Sequence, residues 1–132
     1  MSTINATTVQ ATNVQDTAGA NSSTTAQLTS GRAKAWVNYD HDSNTLTDSF
    51  NVSGVTDDSA GNFTVSFTTN FSNTNYIHTL GHGANASYIW HSKSSTRAVG
   101  TCSFTTSRQY LGYAPVAEDT SEGIYAVFYG DQ

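Results

Sequence analysis

The cleanest hydrophobic pattern in the chain is Asn62-Phe63-Thr64-Val65-Ser66-Phe67-Thr68, with Phe63, Val65 and Phe67 on one face and Thr64, Ser66 and Thr68 on the other. A period of two predicts a strand with one face buried and one wet. The same period runs through Arg32–Tyr39, where Ala33, Ala35, Val37 and Tyr39 share a face able to pack closely. Thr45–Val55 carries Leu46, Phe50 and Val52 at even positions, and Tyr76–Gly81, Ser87–Ser92 and Ala98–Thr105 predict three further strands. Ile124–Tyr129 is apolar on both faces, which suits a central strand or one covered by an interface. Turn composition separates these runs at Asp40–Asn44, Asp57–Asn62 and Asn70–Asn75. Thr106–Gly123 predicts a long loop holding Tyr110, Tyr113, Pro115 and the acids Glu118, Asp119 and Glu122. No segment sustains a helical period. The pattern predicts an all-β antiparallel β-sandwich of about seven to nine short strands over residues 32–132.

Residues 1–31 read differently. Every aromatic side chain lies at or after Trp36, and the leading stretch offers only scattered Ile4, Val9, Val14 and Leu28 among Ser, Thr, Asn and Ala. A segment with so little core material is expected to be an extended N-terminal arm, held by another protein chain and pairing any strand pieces with that partner.

Composition narrows the function classes. The chain has 132 residues, 36% hydrophobic and 11% charged, against the usual ~25% charged. Low charge argues against intrinsic disorder, and neutral hydroxyl and amide side chains suit the outer faces of strands. A net charge of −5 with five basic residues excludes an electrostatic nucleic-acid footprint and disfavours anionic membrane surfaces. No apolar run approaches transmembrane length, so no membrane insertion is expected. Cys102 is the sole cysteine, which precludes an intrachain disulfide and reads as a small buried hydrophobe. Residues 1–30 have neither a basic start nor an apolar stretch, so synthesis in a cytosol is expected.

Several blocks resemble a domain common in tail fibre proteins of bacteriophages, including marine and cyanobacterial phages. They are Gly31-Arg32-Ala33-Lys34-Ala35-Trp36-Val37-Asn38, Asp48 through Asp57, Gly61 through Thr69, Asn75-Tyr76, and Val127-Phe128-Tyr129-Gly130-Asp131-Gln132. Val14-Gln15-Asp16-Thr17 and Asn21-Ser22-Ser23 are similar to the linker that precedes that domain. The resemblance implies a homotrimeric, β-rich adhesive tip on the virion tail, with chains that interleave. It further implies that residues 1–31 dock on the baseplate or an upstream fibre protein. Members of the family vary most between the Asn-Tyr strand and the last strand, here Ile77 to Gly123, so no receptor motif carries over.

Within that window the chemistry points to sugar. Aromatic rings stack on pyranose faces, amides, hydroxyls and neutral imidazoles satisfy sugar hydroxyls, and a trimer multiplies a modest affinity. Gly81–His91 combines a glycine-rich loop with His82, Asn85, Tyr88 and Trp90, while Tyr110 and Tyr113 lie in the long loop. These six are the candidate receptor-binding residues, for a host surface polysaccharide or lipopolysaccharide. Catalysis is poorly supported. A glycosidase needs two carboxylates about 5–10 Å apart in a cleft. Asp40/Asp42, Asp57/Asp58 and Glu118/Asp119/Glu122 all fall in turn or loop composition, and no nucleophile elbow or phosphate loop is present. His78 and His82 would stand roughly 13 Å apart on one strand, too far to share an ion, and His41 and His91 add no ligand spacing. No enzyme activity, cofactor or metal is expected. The competing readings are a structural virion component (head-decoration, neck or tail-connector fibre) and, third, a polysaccharide depolymerase.

Overall fold

The computed structural model describes residues 7–8, 11–14, 23–83, 89–109, 113–119 and 123–132, with the main chain only at 26 and 89–95. The chain divides into two compact units, Met1–Arg32 and Ala33–Gln132.

In the first unit, β1 (Asn13–Val14) pairs antiparallel with β2 (Ser23–Thr24), and α1 (Thr25–Gly31) follows at once. Both features correct the sequence reading, which expected no helix and strand pieces paired only with a partner chain. The helix is held by a capping box: Thr24 Oγ1 accepts from the Gln27 amide at 3.1 Å, and Gln27 Oε1 accepts from the Thr24 amide at 2.8 Å. At 7 residues it is too short to display a period, but Thr-x-x-Gln was a readable start signal.

The second unit is all-β, with nine antiparallel strands among its described residues. One sheet has the order β4 (Thr45–Phe50), β3 (Ala35–Asp40), β11 (Ile124–Tyr129), β7 (Ile77–His82). The other is centred on β9 (Thr101–Gln109). Along one edge β9 pairs with β8 (Ile89–Arg97). Along the other it pairs with β6 (Asn62–Phe67) at Thr101–Thr105 and with β10 (Val116–Ala117) at Ser107–Arg108, and β5 (Val52–Ser59) lies beyond β6. The alternation in β3, β6 and β9 is the cause of the layering. Ala35, Val37 and Tyr39 face Phe63, Val65, Phe67, Cys102 and Phe104 across one core, joined by Ile124, Ala126 and Phe128. Ring contacts bind the layers, including Tyr39–Phe63 at 5.7 Å and Phe67–Phe128 at 4.9 Å between centroids. Phe71 and Tyr76 plug the same core from the β6–β7 connection, stacked at 4.3 Å.

The run Thr45–Val55 is two strands, not one. Asn51 breaks it at φ 56° and sends the chain from the first sheet to the second. Its side chain locks the crossing: Nδ2 donates to the carbonyls of Lys34 (3.0 Å) and Thr69 (3.2 Å), and Oδ1 accepts from the Thr69 amide (2.7 Å). Asparagine tolerates this left-handed conformation better than other non-glycine residues. The Asp57–Asn62 turn shrinks to Ala60-Gly61 because β5 continues to Ser59, with a bulge between Asp57 and Ser59. Gly61, at φ 73°, touches β9 and the start of the β10–β11 connection so closely that a Cβ would lie 2.5 Å from the Thr106 carbonyl oxygen and 2.7 Å from the Glu118 nitrogen. The expected loop Thr106–Gly123 is shorter than composition suggests, since β9 reaches Gln109 and β10 forms within it. Among the described residues, no helix is long and apolar enough to cross a membrane.

Candidate functional site

Strand direction gives the second unit two distinct ends. β3 begins at Ala35, opposite Phe128, and finishes beside Tyr39, opposite Ile124. Because Tyr39 meets Phe63 and Phe128 meets Phe67, the sheets are aligned so that the chain enters the unit at the Ala35–Phe67–Phe128 end. The opposite end gathers the turn after β3, Ala60-Gly61, the end of β7, the start of β8, the end of β9, and the segments flanking β10.

Of the sequence-predicted candidates, His82, Tyr113 and the main chain of Trp90 are described, and they lie at that far end. His82 pairs with Ile124 at the end of β7, so its side chain stands on the core side of the sheet, half-buried. Burial holds its imidazole below the ordinary histidine pKa, favouring the neutral ring. Tyr113 is 69% exposed in the β9–β10 connection, where its carbonyl accepts from Gln109 Nε2 at 3.1 Å. The main chain of Trp90 pairs with Arg108. Asn85, Tyr88 and Tyr110 lie outside the described residues.

A second constellation at the same end was not anticipated. His41 is 1% exposed, because it continues the inward register of Ala35, Val37 and Tyr39 past the end of β3. It packs between Tyr39 (5.6 Å) and Phe63 (5.1 Å). Its Nε2 lies 3.1 Å from Asp119 Oδ1 and 3.6 Å from Asp57 Oδ1, and one donor atom from each of the three residues falls within 4.8 Å of the others. Neither ring nitrogen makes a hydrogen bond. Asp57 belongs to the bulged end of β5 and Asp119 follows β10, so the three come from three separate elements.

The surroundings are built to keep them there. Asp119 Oδ1 also accepts from the Gly61 amide at 2.7 Å. Thr106 Oγ1 donates to the Glu118 carbonyl at 3.0 Å, and the Glu118 carboxylate meets Arg108 Nε at 2.6 Å. Tyr39, whose hydroxyl donates to Asn44 Oδ1 at 2.8 Å, has its pKa pushed up to about 12 by burial first and then by the charges of Asp57, Asp119, Asp40 and Asp58. The readable signal for His41 was its place in the period of two. Nothing local in the sequence joins it to Asp119.

Comparison with family models, with curated proteins and with solved structures finds no match.

Proposed function

We propose that this protein is a virion tail fibre component, a homotrimeric adhesin that attaches a phage to a host surface polysaccharide or lipopolysaccharide without chemically altering it. The reading starts from the sequence blocks that resemble phage tail fibres. The observation that supports it most is the polarity of the sandwich: the described candidates, His82, Tyr113 and the main chain of Trp90, lie at the end opposite to the one where the chain enters from residue 33. An attachment protein anchored through its N-terminal segment needs that arrangement. Residues 1–31 would then dock on the baseplate or an upstream fibre protein.

Support for self-association comes from the outer face of the β4-β3-β11-β7 sheet. Register sets Phe50, Trp36 and Val127 in one row, with Tyr129 beside Ile77 in a neighbouring row. Phe50 is 54% and Ile77 63% exposed, an apolar face of a kind that copies of the same chain can cover. This explains the two-sided apolar pattern of Ile124–Tyr129.

Glycan-array binding by the full chain tests the adhesin. Retention on host polysaccharide that falls at least tenfold in Tyr113→Ala supports it. Release of reducing sugar would favour a depolymerase instead, and absence of any glycan binding by a trimer of confirmed mass would favour a scaffold.

A further inference from the structure

We propose that His41, Asp57 and Asp119 form a binding site for one divalent transition-metal cation, which clamps the two sheets together at the loop-bearing end. The argument rests on direction as much as distance. A protonated imidazole paired with carboxylates aims its N–H along one N···O line. His41 Nε2 sits at hydrogen-bonding distance, 3.1 Å, from Asp119 Oδ1, yet it forms no hydrogen bond to that oxygen or to any other. Its N–H is directed elsewhere. Donors bound cis at about 2.1 Å to one cation stand roughly 3.0–3.5 Å apart, and the imidazole axis then points about 45° away from each oxygen, toward the ion between them. The 3.1 Å separation falls in that range and the 3.6 Å separation just beyond it, and Nε2 is hydrogen-bonded to neither carboxylate.

Burial supports the same conclusion. A histidine 1% exposed with both ring nitrogens unsatisfied carries an uncompensated desolvation penalty, which a metal on Nε2 removes for that atom. The carboxylates are about one-third exposed, at 33% and 32%, so water can complete the coordination shell from the solvent side. One imidazole nitrogen with two carboxylates suits divalent transition metals as a class, for which Zn2+, Mn2+ and Co2+ are the probes. Ca2+ prefers six to eight oxygen ligands and Mg2+ few protein ligands, so both should bind weakly here. Cys102 does not compete, since it is buried with its thiol pKa raised to about 11. The ion would link the end of β3 in one sheet to the end of β5 in the other and to the segment leaving β10.

The test uses the full chain, stripped with chelator and titrated with Zn2+, Mn2+ and Ca2+ by calorimetry and thermal unfolding. The expected result is one equivalent of Zn2+ or Mn2+ per chain. At a hundredfold excess over the dissociation constant, the melting temperature should rise by roughly 10 °C. Co2+ should develop visible absorption bands on binding. Asp57→Asn and Asp119→Asn should each weaken binding at least tenfold, and Asp48→Asn, a carboxylate on β4, should leave it unchanged. The amide introduced by Asp119→Asn retains an oxygen for the Gly61 N–H, and metal-free melting together with circular dichroism verifies that each variant folds. His41→Gln is the additional ligand variant should either aspartate variant fail to fold. Less than a tenth of an equivalent bound at millimolar metal overturns the proposal. So does parental affinity in folded Asp57→Asn and Asp119→Asn. No readout involves a host glycan, so failure here is distinguishable from failure of the adhesin reading.

Discussion

Phe128→Ala should be among the most damaging single truncations in the second unit. Phe128 is fully buried on the central strand β11, and its ring lies 4.9 Å from Phe67, 6.0 Å from Phe104, 6.1 Å from His78 and 6.2 Å from Tyr76. Those neighbours come from both sheets and from the plugging connection, so they cannot collapse inward together. Removing the ring forfeits about 2–3 kcal/mol of transfer free energy and leaves a cavity on the order of 80–100 Å³, which adds about 2 kcal/mol. The sum of about 4–5 kcal/mol is a large fraction of the roughly 5–15 kcal/mol that holds a domain of this size. Urea unfolding followed by tryptophan fluorescence, at a fixed chain concentration, measures it. With a slope of about 1.3 kcal/mol per molar, the midpoint should fall by about 3–4 M at unchanged slope. Val116→Ala, 61% exposed on β10, should cost less than about 1 kcal/mol of unit stability. A midpoint shift below 1 M for Phe128→Ala, or equal losses for the two variants, would refute the assignment of the core.

Three further outcomes are expected. Gly61→Ala should lose about 2–3 kcal/mol, read as a drop in melting temperature, because the new methyl meets backbone atoms at 2.5 and 2.7 Å and φ is positive. His78 has a pKa held below the ordinary value by burial first and by the Arg97 charge second, so the unfolded chain binds more protons as pH falls below about 6.5. Its stabilising contribution is full above that pH and is lost as pH drops through the folded pKa. The decline in melting temperature between pH 7.5 and 5 should be shallower in His78→Phe than in the parent. Cys102, with its thiol pKa pushed up to about 11 chiefly by burial, should resist a thiol reagent at pH 8 in the folded chain and react at once in denaturant. Reaction at equal rates in both states would contradict its burial.

Much of the sandwich was legible because one rule generated it. In β3, with Ala35, Val37 and Tyr39, and in β6, with Phe63, Val65 and Phe67, the buried set is the one the period predicts. The failures share a cause as well. Thr45–Val55 looks continuous because its apolar positions stay even across Asn51, whereas the sheet change depends on side-chain hydrogen bonds to Lys34 and Thr69, distant in sequence. α1 was missed because seven residues hold too few turns for a period, leaving the capping box as the local signal. The His41 constellation was not read. Its register with Tyr39 was an available signal of burial, but the turn composition of Asp40–Asn44 argued for solvent, and the meeting with Asp57 and Asp119 is tertiary.

The described core is concentrated in a few strands. Among the described residues, eleven of the thirteen buried core members lie on β3, β6, β9 and β11, and the other two, Phe71 and Tyr76, sit in the connection near the end where the chain enters. β4 and β10 supply none, while β5 and β7 add only the partly buried Val52, Val55 and Leu80. Among the described residues, apolar burial is therefore concentrated in β3, β6, β9 and β11. The far end is instead pinned by polar contacts: Gly61 to Asp119, Thr106 to Glu118, and Arg108 to Glu118. Directional contacts of this kind fix a position while burying little apolar surface.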